Sequence, residues 1–211
     1  MSRLFLSIDG VDGAGKSTQI EMLLAWFASR GVATTAVRDP GGTQLGEQLR
    51  ELLLHRQEVP LCSRAEMLLY MASRAQLVEE VIRPALDSNR TVLADRYLLA
   101  NVVYQGVAGE IEPELIWHVG EVATGGLYPD LTIVLDLPVD VAVARLGAQL
   151  DRMESRGRDY LERVRQGFLT QGTKIPAGRF VVIDANQSAD AIHTAIVEEI
   201  EAQWAAPPAA S

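Results

Sequence analysis

The sequence predicts an α/β fold: a five-stranded parallel sheet with helices on both faces. Short apolar runs alternate with longer segments of helical period over nearly all of the 211 residues, the pattern of a parallel sheet covered on two sides. The five runs each meet a charged residue at their end (Asp9, Arg38, Asp95, Asp136 and Asp184), and in such sheets ligands bind beyond the carboxyl ends of the strands. A glycine-rich segment, Gly10 to Ser17, joins the first run to the first helical segment.

The elements follow in order. Leu4–Asp9 reads as a buried strand. Ser17–Arg30 reads as a helix with Ile20, Leu23, Leu24 and Phe27 on one face and Gly31 as its stop. Ala33–Arg38 is the second strand, followed by helices over Thr43–Leu54 and Ala65–Leu86. Thr91–Asp95 is the third strand, and helical segments lie between Leu98 and Thr124. Leu131–Leu137 and Phe180–Asp184 are the fourth and fifth strands, separated by a helix–loop–helix from Val139 to about Gln171. Ala189–Trp204 is the last helix. No internal repeat interrupts this order. The expected organisation is one domain over residues 1–205 and a disordered tail over 206–211, rich in Ala and Pro.

Composition narrows the function classes. The net charge is -9, which argues against a general nucleic-acid binder, since that needs a basic face. A small phosphorylated ligand needs only a local cluster of positive groups. Cys62 is the sole cysteine, so no disulfide forms within one chain, as suits a reducing compartment. It is expected as a small packed residue rather than a nucleophile. The N-terminal apolar run is too short for a signal peptide and no stretch approaches membrane-spanning length, so a cytoplasmic protein without membrane partners is expected. His55, His118 and His193 share no metal-site spacing, and Trp26, Trp117 and Trp204 read as packing or interface residues.

Gly10 to Ser17 reads G-V-D-G-A-G-K-S, a fit to the G-x-x-x-x-G-K-[ST] phosphate loop between a strand and a helix. Glycines let backbone N–H groups turn inward around a β-phosphate, and the new helix presents its positive end. Lys16 can reach the β- and γ-phosphates, and the Ser17 hydroxyl can sit on Mg²⁺. The expected ATP-binding segment is Gly10, Val11, Asp12, Gly13, Ala14, Gly15, Lys16, Ser17 and Thr18. A GTPase would carry an Asn-Lys-x-Asp motif, and none occurs. Small-molecule kinases therefore lead, with Mg²⁺ accompanying ATP.

After the second strand comes Arg38-Asp39-Pro40-Gly41-Gly42-Thr43. After the third come Asp95-Arg96-Tyr97 and Tyr104-Gln105-Gly106, and later Asp151-Arg152-Met153-Glu154. Together with the phosphate loop, this series resembles the bacterial thymidylate kinases, in order and spacing, from about Arg3 to Ile200. The resemblance implies a P-loop kinase fold with a mobile lid (about 146–158), a homodimer, and conversion of dTMP to dTDP by Mg·ATP in dTTP synthesis. Several positions depart from the family pattern: Asp39 stands for a usual glutamate, Ala100 for a frequent serine and Tyr70 for a common phenylalanine. The lid has no arginine between Leu146 and Leu150, and no basic residue lies among Val11–Ala14.

Roles follow from the chemistry. A phosphate acceptor is already ionised, so no general base is needed; the difficulty is bringing two polyanions into line. Arg96 is expected to bridge acceptor phosphate and transferring group with its fork geometry, and Asp95 to hold Mg²⁺ through water. An ion pair capping the strand is the plainer reading of that dyad. Asp9 would serve the same ion or orient Arg96, or be a simple strand-end carboxylate. Tyr70 and Arg74 are four apart on one helical face; Tyr70 would stack on the base and Arg74 donate to thymine O4, favouring thymine or uracil over cytosine. The resemblance further implies Arg50 on the acceptor phosphate, Pro40 shaping its pocket through a cis bond, Asp12 on the sugar 3′-hydroxyl, Asn101 and Gln105 near the pyrimidine edge, and Tyr104 crowding the sugar 2′ position. The loop with Asn186 would border adenine, and Asp184-Ala185-Asn186-Gln187 also fits an Asx turn capping the last helix. The closing positive charge is expected from lid arginines, Arg152 first and Arg145 as the alternative, with Arg156 and Arg158 nearby. Two other readings stay open: a kinase for another nucleotide or nucleoside, and an ATP-binding sensor without turnover.

Overall fold

The computed structural model describes residues 3–56, 58–146 and 157–205. Five strands, β1 (Phe5–Gly10), β2 (Thr34–Arg38), β3 (Thr91–Asp95), β4 (Leu131–Asp136) and β5 (Arg179–Asp184), form one sheet in the order β2-β3-β1-β4-β5. Every pairing is parallel. Every residue of β1 is buried, and every residue of β4 except Asp136, which is why the central strands appear in sequence as largely apolar runs rather than alternating ones. The connection after β1 passes over β3 to reach β2, and the one after β3 passes back over β1 to reach β4. The order therefore reverses between β1 and β3, where doubly wound sheets open a crevice at their carboxyl ends.

The helices are α1 (Lys16–Ser29), α2 (Gln44–Arg50), α3 (Ser63–Leu77), α4 (Arg83–Asp87), α5 (Leu98–Asn101), α6 (Pro113–Thr124), α7 (Val139–Leu146), α8 (Arg158–Gln171) and α9 (Ala189–Ala205). The expected single helix over Ala65–Leu86 is observed as α3 and α4 joined by a π-helical turn, Val78–Ile82. The cause is Pro84: it offers no N–H to the preceding turn and its ring crowds the carbonyl four residues back, a conflict that a widened turn relieves. Glu51–His55 and Val102–Val107 likewise continue α2 and α5 as π turns. The expected lid centre, including Arg152 and Arg156, and the expected disordered tail both lie outside the described residues.

Alternation along β1 decides what each residue can reach. Leu4, Leu6 and Ile8 join one apolar cluster while Phe5 joins the other, edge-on to Tyr97 at 5.0 Å. Asp9 shares the Phe5 face, because side chains two apart on a strand point the same way. Trp26 stacks on Trp204 at 5.6 Å, tying α1 to α9, so both are packing residues as expected. Trp117 Nε1 donates to Gln171 Oε1 at 3.4 Å. Cys62 corrects its expectation: it is exposed, at the N-cap of α3, where the chain passes from a loop into the helix.

Candidate active site

A cleft of about 630 Å³ opens at the carboxyl ends of β1, β2 and β3. The phosphate loop forms one wall. Gly10 has φ 130, and a Cβ there would stand 2.5 Å from the Leu135 carbonyl oxygen, so only glycine lets the loop leave β1 beside β4. Gly15 is left-handed (φ 92) and caps α1 without a side-chain acceptor. The first N–H groups of α1 are thereby left for a bound anion, which the helix dipole also favours.

Lys16 begins α1 and is 7% exposed. Its Nζ folds back to donate to the carbonyls of Gly10 (3.1 Å) and Val11 (2.9 Å) and to Asp12 Oδ1 (3.3 Å). Burial and then the nearby Arg96 lower its pKa, partly offset by Asp12. Arg96 Nη1 donates to the Gly10 carbonyl at 3.0 Å, Nη2 pairs with Asp12 Oδ1, and Tyr104 Oη donates to Asp12 Oδ2 at 3.2 Å. Burial opposes the Asp12 charge, but Arg96 and Lys16 outweigh it and hold the carboxyl below the usual carboxylate range. Two cations thus converge on one carboxylate at the point where phosphates would bring negative charge. Arg96 itself is left-handed, with φ 69. A non-glycine residue held there costs about 1–3 kcal/mol, and such strain clusters at functional sites.

The other wall comes from β2, α3 and α5. The Asp39–Pro40 bond is cis, and Arg50 Nη1 donates to the Pro40 carbonyl at 2.9 Å. Tyr70, Arg74, Ala100, Asn101, Tyr104 and Gln105 line the cleft with Asp95, Arg145, Ser17 and Thr18. Arg145 Nη1 donates to the Gly13 carbonyl at 3.3 Å, so this arginine, at the end of α7, reaches the phosphate loop. Arg158 instead pairs with Asp140, both largely exposed. Arg74 is 1% exposed and donates through Nε to Asp39 Oδ2 at 2.5 Å. Asp39, where a longer acid was expected from the resemblance, is therefore a buried counter-ion to Arg74.

Divalent metal can be tested against the donors present. The buried Asp95 Oδ1 has no hydrogen-bond partner among the described residues, and the exposed Ser17 hydroxyl lines the same cleft. One hard oxygen from a carboxylate and one from a hydroxyl fit a magnesium ion that takes its remaining ligands from phosphates and water. No group of three or more His, Cys, Asp or Glu among the described residues could hold a metal by itself.

Gly10, Val11 and Ala14 of the phosphate loop are buried behind the lining, and Asp9 and Asn186 lie elsewhere. Asp9 is not in the cleft. It accepts from Ser7 Oγ at 2.5 Å and faces a small cavity under the sheet with Tyr97, Thr132 and Trp117, for the alternation reason given above. Asn186 is exposed and outside the cleft lining. Its backbone N–H donates to Asp184 Oδ1 at 2.9 Å, the Asx turn, while α9 is capped by Ser188 Oγ accepting from Ala191 N–H at 3.2 Å. Glu66 was missed. It lies four residues before Tyr70 and eight before Arg74, the same helical face, and that spacing is the signal that would have found it.

Burial raises the Asp9 carboxyl from 3.8 to about 6, against the Ser7 hydrogen bond and the Arg96 and Lys16 charges, which lower it. Between about pH 4 and 6 the folded chain keeps a proton the unfolded chain has released. Stability from the neutral carboxyl is thus present at low pH and lost as pH rises through 6, by up to about 3 kcal/mol. Asp9→Asn is expected to equal the parent in urea unfolding near pH 4 and to exceed it at pH 7.5. Equal differences at both pH values would remove Asp9 as the cause.

A family model described as thymidylate kinase matches residues 8–196. The chain is 47% identical over 181 residues to a protein named thymidylate kinase from Rhodopirellula baltica, covering 86% of this chain and 73% of that one. It is 43% identical over 198 residues to one so named from Kosmotoga olearia, covering 93% and 94%. A third, from Fervidobacterium nodosum, is 41% identical over 200 residues, covering 94% and 99%.

Proposed function

The chain belongs to the thymidylate kinase family, and from that premise we propose that residues 1–205 form one kinase domain that transfers the γ-phosphoryl group of ATP to dTMP, giving dTDP and ADP. The single observation that carries this reading is the convergence of Lys16, Arg96 and Arg50 on one cleft between a phosphate loop and a polar pocket with Tyr70 at its wall. An ATP sensor without turnover would not need the second, acceptor-shaped half.

The two anions enter from opposite sides. ATP phosphates replace Asp12 and the loop carbonyls as partners of Lys16 and lie on the N–H groups that open α1. The acceptor phosphate lies between Arg50 and Arg96. Both are guanidiniums whose forks match phosphate oxygens. Arg96 spans the acceptor and transferring groups, so its charge is nearest where negative charge gathers in the transition state. Ser17 and Asp95 are the residues that would hold Mg²⁺, which supplies charge neutralisation on the phosphates. Asp12, released from part of its cation load, is placed to accept from the acceptor sugar 3′-hydroxyl, and Tyr104 packs beside it against the 2′ position. Tyr70 stacks on the base and Arg74 donates to O4. Lid closure brings Arg145 or Arg152 onto the transferring group.

The test is the acceptor panel: kcat/KM for dTMP, dUMP and dCMP with ATP, and ADP release with and without acceptor. The expected order is dTMP over dUMP, and both far over dCMP. A missing methyl costs only about 10–200-fold, whereas buried polar groups left unpaired discriminate more. ADP release indifferent to dTMP would sink the reading. The same assay on Arg145→Ala and Arg152→Ala identifies the closing arginine as the one whose loss lowers kcat by about 10²-fold. A homodimer belongs to the same proposal. The adjoining helices α3 and α6 leave Leu68 (49%), Leu115 (50%) and Val122 (84%) exposed, an apolar surface a second copy would cover; molar mass in solution checks it. Among the described residues no helix is long and apolar enough to cross a membrane, and the proposed setting is the cytoplasm, with no nucleic-acid partner.

A further inference from the structure

We infer, on the reading that dTMP is the acceptor, that Glu66 is a positioning residue that locks the hydrogen-bonding sense of the base pocket and thereby excludes cytosine. Glu66 is 5% exposed and stands behind the cleft rather than in its lining. It accepts from a line of buried side chains. Gln105 Nε2 donates to Glu66 Oε1 at 3.0 Å, Asn101 Nδ2 to Gln105 Oε1 at 2.6 Å, and Arg74 Nη1 to Asn101 Oδ1 at 3.1 Å. Beyond that, Arg74 Nε donates to Asp39. Asn101 and Gln105 are 2% and 3% exposed, so their amides rely chiefly on protein partners.

A side-chain amide turned end for end fills nearly the same space. Its neighbours therefore decide which end points where. Here both ends of the line are one-way groups. A guanidinium can only donate, so Asn101 must offer it oxygen. A carboxylate accepts, so Gln105 must offer it the NH₂ group. The middle link then fits only one way, nitrogen of Asn101 to oxygen of Gln105. Turning Gln105 alone would set an oxygen against Glu66 and an NH₂ against another NH₂.

The lock matters because Arg74, Asn101 and Gln105 line the cleft and Glu66 does not. Thymine offers an acceptor at O4 and a donor at N3–H. Cytosine offers the reverse, an amine and a bare N3. Arg74 supplies the donor for O4, and the locked amide oxygens keep a spare lone pair for N3–H. A Gln105 free to turn would present N–H to cytosine N3 and accept the wrong base. Glu66 prevents this, so the pocket rejects cytosine by an interaction it withholds, not by size.

The test uses the whole enzyme and three forms of it. Glu66→Gln keeps the side-chain length but both donates and accepts, so turning Gln105 then creates one mismatched contact, at Asn101, instead of two. The ratio of kcat/KM for dTMP to that for dCMP is expected to fall about tenfold, the worth of roughly one hydrogen bond. KM for dTMP rises and KM for ATP holds. Adding Gln105→Glu to Glu66→Gln moves the buried carboxylate one link along: position 66 now donates, position 105 accepts from both sides, and oxygen again faces the cleft. The ratio is expected to return toward the parent value. A purely structural Glu66 would lower kcat for both acceptors alike and leave the ratio unchanged. That result, or a double variant no more selective than Glu66→Gln, overturns the inference. A parent that phosphorylates dCMP as readily as dTMP overturns the acceptor reading as well, and is seen before any variant is made.

Discussion

Lys16→Ala is expected to lower kcat by about 10³-fold or more while the protein stays folded. One preorganised polar group aimed at developing charge is worth about 10²–10³-fold, and Lys16 brings a full charge in a site where only 7% of the residue is exposed. Its ammonium is held by two loop carbonyls and Asp12, partners that a phosphate replaces without moving the backbone. Folding should suffer much less. Burial and Arg96 already disfavour the ammonium, so its removal relieves a desolvation cost, and Asp12 keeps Arg96 as its counter-ion. The measurement is kcat for ADP formation beside a thermal melt. A folded variant within tenfold of the parent would show that this loop is not where phosphoryl transfer occurs.

The second large effect is at Arg96, where a paired substitution separates catalysis from folding. Arg96→Ala and Arg96→Gly both remove the guanidinium, and both are expected to lose about 10²-fold or more in kcat. They differ in the backbone. At φ 69 an alanine still bears the left-handed penalty, whereas glycine does not. Arg96→Gly is therefore expected to be more stable than Arg96→Ala by about 1 kcal/mol, with equal loss of turnover. If kcat instead follows stability, with the glycine variant recovering most of the activity, Arg96 acts as a strand cap and not on the phosphates. If the two variants are equally stable, the left-handed conformation is not maintained in solution.

Much of this protein is legible in its residues alone. The three central strands appear as apolar runs because a parallel sheet covered on both faces buries both of their sides, while the edge strands β2 and β5 are only partly buried. The phosphate loop appears as G-V-D-G-A-G-K-S because only that chemistry turns backbone amides inward and follows them with an ammonium. Local rules of this kind act over a few residues, and a linear reading captures them. Tyr70 and Arg74 were found together for the same reason, since helical spacing is local.

Tertiary structure alone decided the rest. Asp9 and Asp95 both end strands in sequence, yet only Asp95 lines the cleft. Strand alternation aims Asp9 beneath the sheet, while Asp95, in register with Ile8 and two residues after Leu93, falls on the opposite face. The left-handed turn at Arg96 carries no glycine to announce it; it persists because Asp12 and the Gly10 carbonyl, 84 and 86 residues away, hold the guanidinium. Asp39, then Glu66 and Arg74, then Asn101 and Gln105 come from three separate stretches of chain, and no spacing rule joins one stretch to another. Their order along one line of hydrogen bonds exists only because β2, α3 and the helix after β3 pack together, and with water excluded each buried polar group must find a partner among the others.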